Sequence, residues 1–412
     1  MKLAYIAGFA WEPKGTVRAR TFPLATEMAA RGHEVTVFIV PYDNPKYSGL
    51  ESIRDGVRIV NLQVPQKVSA AYAAIPGKLA TTVAEYGPTL VHVFKPKGFA
   101  GVAASKLLRG HRFPVVLDCD DWEGWGGWND VKAYPWVVKE FIEHQEHSLI
   151  RKAHAVTCAS RLLADRAVTL RRSAQHIVYL PNGVSSQQIT LSDQLLRVPM
   201  SERKRALGFG PGMVIFYAGH FDPADNVEWF CRAVASLGAR QKFTVVLAGD
   251  GPELPNAKTF LSAAANINLR CLGRLSQEEY LSALAASDIA AFPYPDTPVY
   301  RAKCSARIID YMLYGKPVVT TAVGQNNDYI TNGQNGLLTP PEDATAFESA
   351  FMRLLTDRNL RDFLGQNARE HILQKFRWSG HLGDECENLY LNALREFHHK
   401  HCQFDEPLAL SS

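Results

Sequence analysis

The chain has 412 residues, 46% of them hydrophobic and 21% charged, with a formal net charge of +4. That length exceeds one small core and predicts two domains, and the composition is that of an ordinary globular protein. The charge is too mild to point to a nucleic-acid partner, and no apolar run reaches the ~18–20 residues that span a bilayer.

The opening MKLAYIAG reads as a first β-strand ending in a glycine loop, not as a signal peptide, because helical periodicity resumes at once. Its continuation LATEMAAR at 24–31 carries apolar residues on one face, and Gly32 stops it. Further strands are expected at 34–40, 57–63, 90–94, 115–118, 155–158 and 176–180. Pro181-Asn182-Gly183 closes this half, and the polar stretch 185–207 reads as a linker. A new core begins at 213–219 and continues through strands at 243–249, 267–273, 289–294, 317–321 and 336–338. Helices follow Asp343, and a last one at about 379–400 is placed to cross back onto the first half.

Strand-like runs alternating with amphipathic stretches predict an α/β protein with two doubly wound parallel sheets, 1–184 and 208–378. They are expected to face each other across a cleft, with ligands beyond the carboxyl ends of the strands. The seven cysteines are scattered and lack a CxxC spacing, which fits reduced thiols, a cytoplasmic location and no zinc site.

The segment YRAKCSARIIDYMLYG at 300–315 is the most informative. It reads as a loop entering a short helix between two strands, with Arg301 and Lys303 at the entrance and Asp310 in the body. A helix start offers unpaired N–H groups and partial positive charge to a phosphate, and an acid two turns deeper can accept from sugar hydroxyls. The pattern suits a nucleotide diphosphate. Asp310 could instead form a structural pair with Lys303 or Arg307.

Three other groups stand out. Asp118, Asp120 and Asp121 end a buried strand. Trp122, Trp125 and Trp128, separated by glycines, suggest a flexible aromatic loop for stacking on sugars or resting at a lipid interface. Lys14, Arg18, Arg20, Lys95 and Lys97 near strand exits suggest an anionic acceptor. Gly15 and Thr16 border the first strand's exit, and Gly249 and Gly251 fit a tight turn where backbone approaches a ligand.

The ordered motifs RGHEVTV (31–37), LPNGV (180–184), AGDGP (248–252), LGRL (272–275), YMLYGKPVV (311–319) and FRW (376–378) resemble the retaining GT-B glycosyltransferases of family 4. That group includes sucrose synthases and bacterial mannosyl- and glucosyltransferases. The resemblance implies two Rossmann-like domains, a sugar nucleotide on the second, an acceptor on the first and no essential metal. It makes Asp310 the ribose-binding acid and puts Asp120 where the family has an active-site histidine. Arg274 and Leu275 lie where main chain meets the base. The Asp-x-Asp at 118–120 also matches a metal-diphosphate pattern, against which the two-sheet organisation argues.

Two departures accompany the resemblance. His220 and then Asp225-Asn226 stand where the family carries basic diphosphate clamps, and Ala302 replaces the first of two glutamates. Diphosphate binding is left to Arg301, Lys303, His220 and the amides of Cys304 and Ser305. The expected activity is hexosyl transfer with retention from a UDP- or GDP-linked sugar to an acceptor hydroxyl, in cell-surface polysaccharide or glycoconjugate synthesis. The acceptor is a glycan, a lipid-linked or a small molecule, held near Arg18, Lys95, Lys97, Trp122 and Trp125, with peripheral membrane contact permitted. The alternatives are a catalytically silent subunit of the same fold and a sugar-nucleotide epimerase.

Overall fold

Unbroken apolar runs make buried parallel strands, because helices cover both faces of such a sheet. The computed structural model describes residues 1–12, 15–65, 70–225 and 227–402, so Lys14 and Asn226 lie outside the described residues. By contacts the chain divides into two units. The first comprises Met1–Asn182, Ala302–Cys304 and the C-terminal part from Trp378. The second comprises Gly183–Arg301 and Ser305–Arg377.

The first unit holds strands β1 (Lys2–Ala7), β2 (Glu34–Ile39), β3 (Glu51–Arg54), β4 (Val57–Asn61), β5 (Leu90–Phe94), β6 (Val115–Cys119), β7 (Ala155–Cys158) and β8 (Ile177–Tyr179). Their order is β3-β4-β2-β1-β5-β6-β7-β8, and β3 alone among these pairs antiparallel. Every residue of β3 is exposed, so it carries no apolar alternation to read. Its signal is the turn: Asp55 and Gly56 have φ of 48° and 77°, the two left-handed positions of a tight hairpin.

The second unit holds β9 (Val214–Gly219), β10 (Phe243–Gly249), β11 (Ile267–Gly273), β12 (Ile289–Ala291), β13 (Val318–Thr321) and β14 (Leu337–Thr339). They are parallel in the order β11-β10-β9-β12-β13-β14, the Rossmann arrangement with its switch point between β9 and β12.

The stretch 185–207 is not a plain linker. It forms helices Ser186–Arg197 and Met200–Ala206. Ser185 and Gln188 make a reciprocal capping box that satisfies the first helix's start, and a polar composition hid it. The segment 300–315 also differs from expectation: Tyr300 and Arg301 lie in a short helix, Pro298–Ala302, and a second helix, Ala306–Leu313, starts after Ser305.

The C-terminal helix Gly383–Cys402 packs on the first sheet. Trp378 just before it is fully buried, and the Tyr390 hydroxyl lies 2.7 Å from that of Tyr5 and 2.6 Å from His92 Nδ1. Burial pushes His92 down to about 4, so it sits neutral between Tyr390 and Thr157. No helix among the described residues is long and apolar enough to cross a membrane.

Gly249 and Gly251 have φ of 125° and 154°, and a Cβ on either would come within 1.8 Å of a carbonyl oxygen, that of Gly219 or of His220. The loops after β9 and β10 therefore cross in direct backbone contact. Gly249→Ala should cost about 2 kcal/mol through this overlap and the backbone strain. A urea midpoint unchanged from wild type would show that the loops yield freely.

Candidate functional site

In the first unit the carboxyl ends of β5 and β6 gather charges that the sequence scatters. Asp118 is fully buried and accepts from Arg20 through Nε at 2.7 Å and an NH2 at 2.6 Å, and from the Thr157 hydroxyl at 2.6 Å. Burial pushes its carboxyl up, but the Arg20 charge and hydrogen bonds outweigh this and hold it below its ordinary value. Arg20 also donates to Asn182 Oδ1 at 3.1 Å. It lies in a π-helical turn, Val17–Thr21, and is a core residue, not a free acceptor-binding cation.

Lys95 and Lys97 are also paired. The Lys95 ammonium lies 2.5 Å from Asp121, 3.3 Å from Asp120 and 3.3 Å from Glu123, and Lys97 pairs with Glu123. An anionic acceptor there would have to compete with these carboxylates. Asp120 is different. Its buried oxygen has no hydrogen bond and only the Lys95 ammonium at 3.3 Å beside it. Its carboxyl is pushed up to about 7, first by burial and then by Asp121 and Asp118, against the pull of Lys95. A carboxyl of that kind changes charge near neutral pH, as an active-site acid does. Arg18 is exposed, and Gly15 is exposed with nothing near enough to require a glycine there.

The tryptophan loop is anchored instead of loose. Glu146 and Glu143 accept from the amides of Glu123, Gly124 and Trp125, and Glu140 accepts from the Trp125 indole at 2.9 Å. Arg166 lies over Trp122, Lys139 over Trp125 and Lys132 over Trp128. Trp122 packs against the core, so its expected acceptor role has to compete with packing it already makes. Glu143, Glu146 and His147 could by spacing hold a metal ion, but Arg166 already pairs with Glu146 at 3.1 Å. The fit to a cation is therefore poor. The Asp118 to Asp121 string is no better, since Arg20 and Lys95 occupy it.

In the second unit the helix Ala306–Leu313 starts beside the carboxyl ends of β9 and β12. Ser305 caps it by accepting from the Ile308 amide at 3.4 Å, so the helix start lies one residue beyond the expected Cys304 and Ser305 amides. Asp310 accepts from the Tyr280 hydroxyl at 3.2 Å and makes no ion pair with Arg307. Tyr311 fixes the helix to the strand by accepting from the Ala218 amide at 3.2 Å. His220 is exposed at the end of β9, while Asp225 is buried and accepts from the Tyr300 hydroxyl. Gly273, with φ of 65°, turns the chain before exposed Arg274 and half-buried Leu275.

By contacts Arg301 and Lys303 group with different units. Arg301 is exposed and donates to Asp296 at 2.6 and 2.8 Å within the second unit. Residues 302–304 group with the first unit, where Asn182 donates its amide to Cys304 Sγ at 3.3 Å and its side chain to the Cys304 carbonyl at 3.0 Å. Arg307, which the sequence offered only as a partner for Asp310, lies in the first turn of the capped helix. Its guanidinium lies 5.1 Å from the Phe292 ring centre. Its spacing from Ser305 was the available signal for that position.

Comparison with known proteins agrees with these two units. Residues 15–183 match the glycosyl transferase 4-like domain, and residues 212–357 match the family described as glycosyl transferases group 1. The chain is 27% identical over 262 residues to the alpha-D-kanosaminyltransferase of Streptomyces kanamyceticus, a match covering 62% of this chain and 64% of that one. It thus spans somewhat under two thirds of that relative's length. Among solved structures it resembles the sucrose-phosphate synthase of Thermosynechococcus elongatus, with TM-score 0.72 and 20% identity over 98% of this chain and 99% of the other. It also resembles Anabaena HepE in complex with UDP and glucose, with TM-score 0.69 and 17% identity over 97% and 99%.

Proposed function

Because this chain belongs to the group 1 glycosyl transferases and has their GT-B fold, we propose that it transfers a hexosyl unit from a nucleotide diphosphate sugar to an acceptor hydroxyl, with retained configuration. The observation that carries this reading is the helix Ala306–Leu313, capped by Ser305 at the edge of a Rossmann sheet with Asp310 one turn in. Its first amides and partial positive charge suit a diphosphate, and Asp310 has the position and chemistry to accept from ribose hydroxyls. The UDP in the HepE structure makes UDP the first nucleotide to try.

In the proposed reaction the bond between sugar C1 and the diphosphate oxygen breaks first. The acceptor oxygen then bonds to C1 on the same face, and its proton passes to the departing phosphate oxygen. No protein nucleophile is needed. Asp120, as a carboxylate, would stabilise positive charge developing on the sugar. Charge on the leaving group is assigned to side chains and helix amides, without an essential metal.

The acceptor is a glycan, lipid-linked or small molecule, and cell-surface polysaccharide or glycoconjugate synthesis is the proposed setting. Peripheral contact at the cytoplasmic face of a membrane belongs to the same proposal. Trp136 and Val137, at 68% and 71% exposed, are better placed for it than the anchored indoles of the 122–128 loop. One observation favours a catalytically silent subunit: buried Asp225 puts an acid where the family carries a base.

A thermal-shift panel with UDP, GDP, ADP, dTDP and NAD, with and without magnesium, tests the reading. A ligand at ~100 times its dissociation constant adds ~2.7 kcal/mol. One nucleoside diphosphate is expected to raise the melting temperature without magnesium, and Asp310→Ala should abolish the rise. No shift with any nucleotide would sink the transferase reading and leave the silent subunit.

A further inference from the structure

Among the described residues, the loop after β9 carries no Lys or Arg. The loop after β9 presents His220, the Asp225 carboxylate takes the Tyr300 hydroxyl, and Arg301 is bound to Asp296. Arg307 stands apart from these. It is half-buried, its guanidinium stacks on Phe292, and it makes no hydrogen bond or ion pair with a described residue. Burial works against its charge, but Tyr311, Tyr280, Tyr217 and Asp225 together raise its pKa, so it stays a cation.

Two features suit that cation to an anionic ligand. A guanidinium offers five N–H donors in a planar fork, and no described residue takes those of Arg307. Arg307 is also the second residue of its helix, where the partial positive charge of the helix start repels a cation. An anion with several oxygens answers both. It accepts from the planar fork and meets the amides of Ala306 and Arg307, while the Ile308 amide is already taken by Ser305.

We propose that Arg307 is the diphosphate-binding cation of the second unit, standing in for the basic residues absent after β9. This rests on the nucleotide-sugar reading above and assigns the diphosphate a specific contact. Asp310, one turn deeper, then takes the ribose end of the same ligand.

Calorimetric titration of the full chain with a nucleoside, its monophosphate and its diphosphate, of the base found in the panel, tests it. Wild type is expected to bind more tightly at each added phosphate. Arg307→Gln should keep the nucleoside affinity and lose about 10- to 100-fold for the diphosphate, as expected for a charge-assisted hydrogen bond. Arg307→Lys keeps the charge without the fork and should lose a smaller part. It also serves if Arg307→Gln fails to fold. The inference is overturned if the folded variants keep the wild-type ratio of diphosphate to nucleoside affinity. Failure of wild type to bind any nucleotide overturns the underlying reading, and the two failures are distinct.

Discussion

Asp118→Ala is expected to lower the unfolding free energy of the first unit by about 3–5 kcal/mol, because it strips the partner from a buried charge. Arg20 and Asp118 are 2% and 0% exposed, and their two hydrogen bonds are 2.7 and 2.6 Å long. Without the carboxylate the guanidinium keeps only Asn182 in a site closed to water. The carboxyl is held below its ordinary value, so its contribution is present at neutral pH. It is lost only as pH falls through the folded value. Urea unfolding followed by tryptophan fluorescence is a suitable readout, since six of the seven tryptophans lie in the first unit. The double change Arg20→Met with Asp118→Leu should cost much less than Asp118→Ala alone, because no lone charge remains. A single variant within about 0.5 kcal/mol of wild type would mean that the pair contributes little.

Asp120→Asn is expected to cut transfer by ~10²–10³-fold, the usual effect of removing one electrostatic contact to a transition state. The argument also has a pH signature. The carboxyl titrates at about 7, so wild-type activity should rise with pH through that value as the carboxylate forms. The variant should be slow and flat across the same range. Stability moves the other way. A carboxyl whose folded value is raised favours the fold below its unfolded value of about 4, and this is lost as pH rises through about 7. The asparagine variant, which carries no charge, should therefore be at least as stable as wild type at alkaline pH. A variant with wild-type rate and an unchanged pH profile would leave Asp120 a structural acid beside Lys95.

The two sheets were legible because burial on both faces forces continuous apolar runs, and such runs survive in the sequence as a pattern. Gly249 and Gly251 were legible as a turn, since backbone crossing at 1.8 Å from a virtual Cβ excludes every other residue. The helices at 186–206 were missed because their apolar positions are sparse and their start depends on a side-chain cap. β3 was missed because an exposed edge strand has no buried face to impose alternation.

The candidate site was legible in outline only. The sequence put Asp310 on a short helix and Asp120 at a strand end, because helix spacing and strand ends are local properties of the chain. It could not assign partners. Arg20 meets Asp118 from 98 residues away, and Lys95 meets Glu123 from 28. Charge pairing of this kind depends on which strand ends become neighbours, and only the folded sheet decides that. For the same reason Lys95 and Lys97 read as free cations in the sequence and are neutralised in the fold. Arg307 read only as one alternative partner for Asp310, yet folding stacks it on Phe292. The sequence by itself determined the periodicities and the glycine positions. Tertiary structure decided which charges are left to meet a ligand, because that depends on neighbours distant along the chain.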